Sequence, residues 1–216
     1  MVKAIKIILG ILGAIILGLT ILVVTFIFSM KPDPDKEMMI KTEAEQYISE
    51  NFNEHFEVYD TLFDNMGNFE FEYAAKARDR QNGIEFYVFH DSESETGELV
   101  DTYIANKWED ELLGQLRPYI NQHFKDASDC YVYIEDKIGK RLQIDSHNSE
   151  SYKEYDINPI IRMTFPRKKS DIDDENFNAF ITYLQNKDIV KHGTLIVAYI
   201  AENGEILEPE EWSKEF

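Results

Sequence analysis

The chain carries a single cysteine, Cys130, so it cannot close an internal disulfide, and a domain working outside a reducing compartment must be held by its core alone. This usage suits an exported bacterial domain better than a disulfide-rich animal one. No cysteine lies near the end of the apolar amino-terminal run, which excludes a lipoprotein-type anchor. Cys130 lies in the apolar run Cys130-Tyr131-Val132-Tyr133-Ile134, where a thiol packs as a small inert group rather than acting as a nucleophile.

Basic residues are the second shortage. With 22 Lys and Arg against 41 Asp and Glu, the formal charge is -19, and setting aside Lys3 and Lys6 leaves -21 on the remainder. No basic patch is available to displace counterions from phosphates, so nucleic acid is excluded as a partner. The acidic field repels anionic head groups and wall polymers and draws cationic peptides or divalent cations, the latter weakly.

Chemical motifs are missing as well. There is no phosphate-binding glycine loop, no pair of histidines one helical turn apart, no exposed-serine elbow and no paired-cysteine motif. His55, His90, His123, His147 and His192 fall in separate predicted elements and read as structural or surface groups. The run Asp171-Ile172-Asp173-Asp174-Glu175 lacks the central glycine and distal glutamate of a calcium loop, and acids at a helix start already suit the macrodipole. Asp60, Asp64 and Asp91 sit at predicted strand ends and make an acid and base pair only if the fold brings them together. The sequence therefore assigns no catalytic residue, no cofactor-binding residue and no metal ligand.

What is present begins with Ile7 to Phe28, free of charge and proline and long enough to cross a hydrocarbon core of about 30 Å as a helix. Lys3 and Lys6 precede it and no positive excess follows it, so the positive-inside rule places the amino terminus in the cytoplasm and the rest outside. A cleavable signal has a shorter apolar run and small residues before the cut, whereas this run ends in Phe26-Ile27-Phe28-Ser29-Met30. The predicted organisation is a cytoplasmic tail over 1–6, an anchor over 7–28, a linker over 29–39 stiffened by Pro32-Asp33-Pro34-Asp35, and two α+β subdomains over 40–124 and 125–216.

In the first subdomain, Ile40, Ala44, Tyr47, Ile48, Phe52 and Phe56 mark an amphipathic helix. Val58 to Phe63 and Phe69-Glu70-Phe71-Glu72-Tyr73 read as a hairpin, and Asn82-Gly83 turns into a third strand at Ile84 to Phe89. The stripe Val100, Ile104, Trp108, Leu112 and Leu116 predicts a second helix, bent or ended by Gly114 and Pro118. Both helices are expected on one face of an antiparallel sheet, with Glu70, Glu72 and Glu85 on a wet face. The second subdomain reads as strands at Tyr131 to Glu135, Arg141 to Asp145 and Ile160 to Phe165. A helix follows, capped by Asp173 and stapled by Ile172 and Phe177, then a strand over Gly193 to Ala201 turning at Asn203-Gly204 toward Ile206-Leu207. The 13% aromatic content falls mostly at alternating or helical positions and fills a core without disulfides.

The stretch from Lys41 to Leu112 contains Asp64-Asn65-Met66-Gly67-Asn68-Phe69, Phe71-Glu72-Tyr73-Ala74-Ala75, and Asp101-Thr102-Tyr103 before Trp108. It resembles membrane-anchored extracytoplasmic proteins of Gram-positive bacteria of the YfjL-like kind. Thr96-Gly97-Glu98-Leu99-Val100-Asp101 is similar to the strand-turn of PepSY-type modules, a resemblance that implies a helix-on-sheet fold and a regulatory or inhibitory role outside the membrane. The functional expectation is a noncatalytic binding or regulatory module at the outer face of a membrane, acting on membrane proteins, exported chains or wall components. Its rivals are an anchored carboxylate-dependent hydrolase and an accessory subunit of a membrane complex, for which Gly10, Gly13, Ala14 and Gly18 offer a small-residue face.

Overall fold

The computed structural model describes the backbone of residues 2–146 and 150–216, and the side chains of all of these except 2–9 and 29. The apolar run forms helix α1, Val2–Ser29, and its stretch Gly10–Phe28 has a mean hydropathy of 2.8 with none of it buried. Residues 30–33 alone separate it from α2, Pro34–Asn51. The expected linker over 29–39 is thus shorter, because Pro34 opens a helix rather than preventing one. Its missing N–H falls in the first turn, where no intrahelical partner exists, and the Asp33 carboxylate caps the turn by accepting the Asp35 N–H at 3.0 Å.

Four antiparallel strands follow in sequential order: β1 Phe56–Phe63, β2 Tyr73–Asp79, β3 Glu85–His90 and β4 Leu99–Asp101. Phe69 to Tyr73 is not the expected second strand. Residues 64–72 form a loop built around the buried Asp64, whose carboxylate accepts the N–H groups of Met66 at 3.0 Å and Phe69 at 2.8 Å and the Asn68 side-chain amide at 3.1 Å. The loop lays Phe71 over Ala74, Phe89 and Val100, so the outer face of this sheet carries a small core of its own and is not simply wet. Its inner face, Ala75, Ala77, Phe86 and Val88, packs against Ala44, Ile48 and Phe52 of the α2 end.

Helix α3, Tyr103–His123, buries Ile104, Trp108, Leu112, Leu116 and Ile120. Val100 belongs to β4 instead, and Pro118 lies inside the helix without ending it. One hydrogen bond is forfeited there, and the burial of Leu116 and Ile120 on either side holds the last turns in place.

The second sheet, order β5-β6-β7-β8, comprises Asp129–Tyr133, Ile160–Phe165, Thr194–Tyr199 and Trp212–Glu215. It is antiparallel except between β6 and β7, which run parallel and need the crossover that α5, Asp173–Asn186, supplies. Arg141 to Asp145 does not add a strand: Ile138, fully buried, plants a short helix α4, Ile138–Leu142, which ends in a left-handed Gln143. The Ile172 staple is absent too, since Ile172 is 60% exposed and itself occupies the cap position, leaving Asp173 free to turn inward. Ile206 makes one bridge to Ile200, but the closing strand is β8, farther along the chain. The protein is α+β with two sheets, and one buried cluster built on α3 runs from Phe86 and Val88 of the first sheet to Val132, Ile161 and Met163 of the second.

Candidate functional site

A line of polar groups crosses the molecule along the first turns of α3. Thr102 Oγ1 accepts the Tyr87 N–H of β3 at 3.0 Å and donates to Asn106 Oδ1 at 2.6 Å. The other end of the Asn106 carboxamide donates to Glu109 Oε2 at 3.1 Å, and Glu109 Oε1 accepts the Ile134 N–H, just beyond β5, at 2.8 Å. Thr102, Asn106 and Glu109 come together because they fall three and four residues apart on a helix that lies against both sheets. Burial is the main influence on the Glu109 carboxyl and raises it to about 7; the two donated hydrogen bonds oppose this and the Asp136 charge adds to it.

Glu109 borders an open cleft of about 450 Å³ between the β2–β3 turn, α3 and β5. Gly83, at φ +78°, closes the turn at its rim and donates its N–H to the Asp79 carbonyl at 2.8 Å. Glu85, Asp110, Asn82 and Tyr131 complete the polar lining. Acceptors dominate, so the cleft suits a ligand rich in N–H donors or positive charge. Protonated Glu109 adds one donor, and the ionised form adds a charge.

A second cleft of about 360 Å³ lies between the end of α2 and α4. There the Tyr47 hydroxyl donates to Asp101 Oδ2 at 2.7 Å and the Tyr103 N–H donates to Asp101 Oδ1 at 2.9 Å, while burial raises the Asp101 carboxyl above its usual range. Lys140 on its wall is already committed to Asp91 at 2.7 Å and to Glu98.

The acidic residues singled out from the sequence are not gathered. Asp60 pairs with Lys76 at 3.0 Å and Asp64 holds its loop. Asp91 is buried beneath Lys140 and Lys137, whose contacts hold its carboxyl down at about 2, the Lys140 hydrogen bond being the largest cause. Within the Asp171 to Glu175 run, Asp173 accepts two hydrogen bonds from Arg167 at 2.7 and 2.9 Å, the Ser170 N–H at 2.8 Å and the Tyr199 hydroxyl at 2.9 Å, and Asp174 pairs with Lys169 at 2.7 Å. Among the described residues no group of three or more metal-type ligands converges.

The histidines are dispersed: His90 lies 2.8 Å from Glu43, His192 3.1 Å from Asp156, and His123 stacks on Tyr119 at 4.2 Å. The His55 carbonyl accepts from Arg80, and His147 lies outside the described residues. Burial pushes the Cys130 thiol up to about 12. Glu109 is the site residue that sequence reasoning missed. Its signal was available in Leu112 and Leu113 three and four residues on, which put a carboxylate at the border of the apolar stripe. Comparison with protein-family models, with curated proteins and with solved structures finds no match to this chain.

Proposed function

We propose that this chain is a membrane-anchored, extracytoplasmic binding or regulatory protein, without catalytic activity, whose ligand seat is the Glu109 cleft. One observation carries the reading: Gly10–Phe28 has a mean hydropathy of 2.8 and no buried part, yet it runs through residues 30–33 alone into a domain with a complete core. None of that stretch is buried among the described residues, and a bilayer would cover it. With Lys3 and Lys6 kept inside, the domain lies outside the cell, where the acceptor-rich cleft meets cationic or donor-rich segments of membrane or exported proteins.

The test is photo-crosslinking of the full-length protein in its native membrane from Tyr131, which is 45% exposed on the cleft wall, with Asn203 on the β7 side as control. A specific membrane or exported protein captured from Tyr131 and lost on Glu109→Gln supports the reading; identical products from both positions refute it. Topology is checked separately with a membrane-impermeant thiol reagent on a Ser213→Cys variant in intact cells, which should label from outside.

A second reading, an anchored carboxylate-dependent hydrolase, is favoured by Glu109 titrating near neutrality beside Asp110 in the same cleft. It requires turnover by the purified protein that disappears in both Glu109→Gln and Asp110→Asn.

A further inference from the structure

The junction between α1 and the folded domain carries features that the core does not need. The apolar run Ile7 to Phe28 lies within helix α1 and is long enough to cross a hydrocarbon core of about 30 Å, which puts Phe28 near its outer boundary. Met30 is then at head-group depth. The β1–β2 loop reaches back to this point: the Asn65 side-chain amide donates to Met30 Sδ at 3.0 Å. The start of β2 is tied to the same place, because the Asp33 N–H donates to the Tyr73 hydroxyl at 2.9 Å and the Lys36 ammonium sits 5.1 Å from the Tyr73 ring.

At the tip of that loop Met66 is 75% exposed, beside Gly67 in a left-handed turn at φ +75°. The tip is not loose. Asp64 fixes it from below with the three hydrogen bonds described above, so Met66 is held out by construction. Phe69, 40% exposed, stacks on Phe71 at 5.0 Å, and Phe63 stacks on Tyr73 at 4.8 Å, which adds an aromatic group of the kind that settles at membrane interfaces. A single exposed methionine is ordinary on a soluble surface. Here it is continuous with the end of the span, through Asn65 and Met30, and aromatic rings flank it.

We infer that the β1–β2 loop is a second membrane contact: Met66 and Phe69 dip into the interface of the bilayer that α1 crosses and seat the domain on the lipid in a fixed orientation. The inference rests on the anchored reading above. The chemistry of the contact is apolar. Asp33, Asp35 and Glu72 flank the junction against Lys31 and Lys36, so the seat is made on zwitterionic lipid and does not depend on anionic head groups. Seating would also fix how the rest of the domain faces neighbouring proteins, since β2 leads about 20 Å away from Tyr73 toward the β2–β3 turn at about 3.3 Å per residue.

The experiment uses the full chain with Cys130→Ser, reconstituted in zwitterionic phospholipid nanodiscs and carrying one cysteine labelled with an environment-sensitive fluorophore. Cysteine replaces Met66 at the loop tip, Val24 in the span, or Gln81 at the far end of the same sheet. Lipids bearing a spin label near the head group serve as quencher for the loop, and lipids labelled deeper in the chain serve for Val24. The Met66 probe should be blue-shifted and quenched about two-fold or more, as an interfacial group is, equally at low and high salt, while the Gln81 probe is unaffected. A Val24 probe that is quenched beside a Met66 probe that behaves like Gln81 overturns the seat and leaves the anchor standing. A Val24 probe that is not quenched overturns the anchored reading, and the seat falls with it. Quenching at Met66 that vanishes in high salt also refutes the apolar contact.

Discussion

Glu109 should make the protein less stable as the solution becomes more alkaline. Its carboxyl rises from 4.5 in the unfolded chain to about 7 in the fold, so the folded state keeps a proton that the unfolded state releases across that interval. A raised carboxyl therefore costs nothing below 4.5, and its penalty grows until the pH passes about 7, after which it is constant. At about 1.4 kcal/mol per pH unit, the interval amounts to about 3 kcal/mol, an upper figure because water reaches the cleft beside it. Glu109→Gln removes the titration, and the new side chain can still accept the Ile134 N–H while Asn106 turns its carboxamide over to meet it. The assay is urea unfolding of the full chain in nonionic detergent at pH 5, 6, 7 and 8, followed through the buried Trp108. Asp101, also raised by burial, adds slope of the same sign to both proteins and cancels in the difference; Asp136, likewise raised, repels ionised Glu109, and that repulsion disappears in the variant and forms part of the difference. Asp91 and Asp173 are lowered, so their contribution is lost only below the usual carboxylate range, outside this window. The stability of the variant relative to the parent should rise by about 2 to 3 kcal/mol between pH 5 and pH 8. Parallel curves would refute a buried, proton-holding Glu109.

Gly139→Ala should destabilise the protein by about 1 to 3 kcal/mol, because a Cβ there would lie 2.9 Å from Ile104 Cγ1 and 3.1 Å from its Cβ, and Ile104 is held in the core; in an Ile104→Ala background, which lacks the Cγ1 it would meet, the same change should cost measurably less in the same unfolding assay. Asp173→Ala should cost about 2 to 3 kcal/mol by leaving the Tyr199 hydroxyl without its buried acceptor and Arg167 with Asp126 alone. In the parent, the Asp173 contribution is present above the usual carboxylate range and declines as the pH falls through its lowered folded value, so the cost of Asp173→Ala measured at pH 7 should shrink in strong acid. Cys130, raised to about 12, should resist maleimide at pH 7 in the native protein and react fully in denaturant, and rapid native labelling would contradict the packing around β5.

The elements legible in the sequence are those that bury a periodic stripe by themselves. Ile40, Ala44 and Ile48 on α2, the Ile104 to Leu116 stripe on α3, Phe177 to Leu184 on α5, and the alternating runs of β3 and β6 all carry their own apolar pattern. The failures arise where a distant group decides. Phe69-Glu70-Phe71-Glu72-Tyr73 alternates as a strand does, yet Asp64 collects the loop's N–H groups and turns Phe71 onto the outer face of the sheet. Arg141 to Asp145 also alternates, and loses to Ile138 burying itself against α3 one turn earlier. Asp173 has the composition of a cap, but Arg167 and Tyr199 offer it charge and a hydroxyl in the interior, and helix α5 starts without a side-chain cap.

The candidate site was hidden for the same physical reason, carried one step further. A carboxylate on a helix is ordinary, and Glu109 becomes unusual only through burial, where it is joined to a β3 backbone N–H through Thr102 and Asn106 and directly to a backbone N–H beyond β5. Those two donors are 47 residues apart in the chain, at Tyr87 and Ile134, and no local pattern relates them. What the sequence does supply is the sign of the surroundings: with 41 acidic against 22 basic residues, a buried carboxyl has few cations to turn to, and Lys137 and Lys140, just beyond β5, are already taken by Asp91, Glu93 and Glu98. Glu109 is left with amides for partners, which satisfy its oxygens without paying for its charge, and a carboxyl so placed holds its proton toward neutrality.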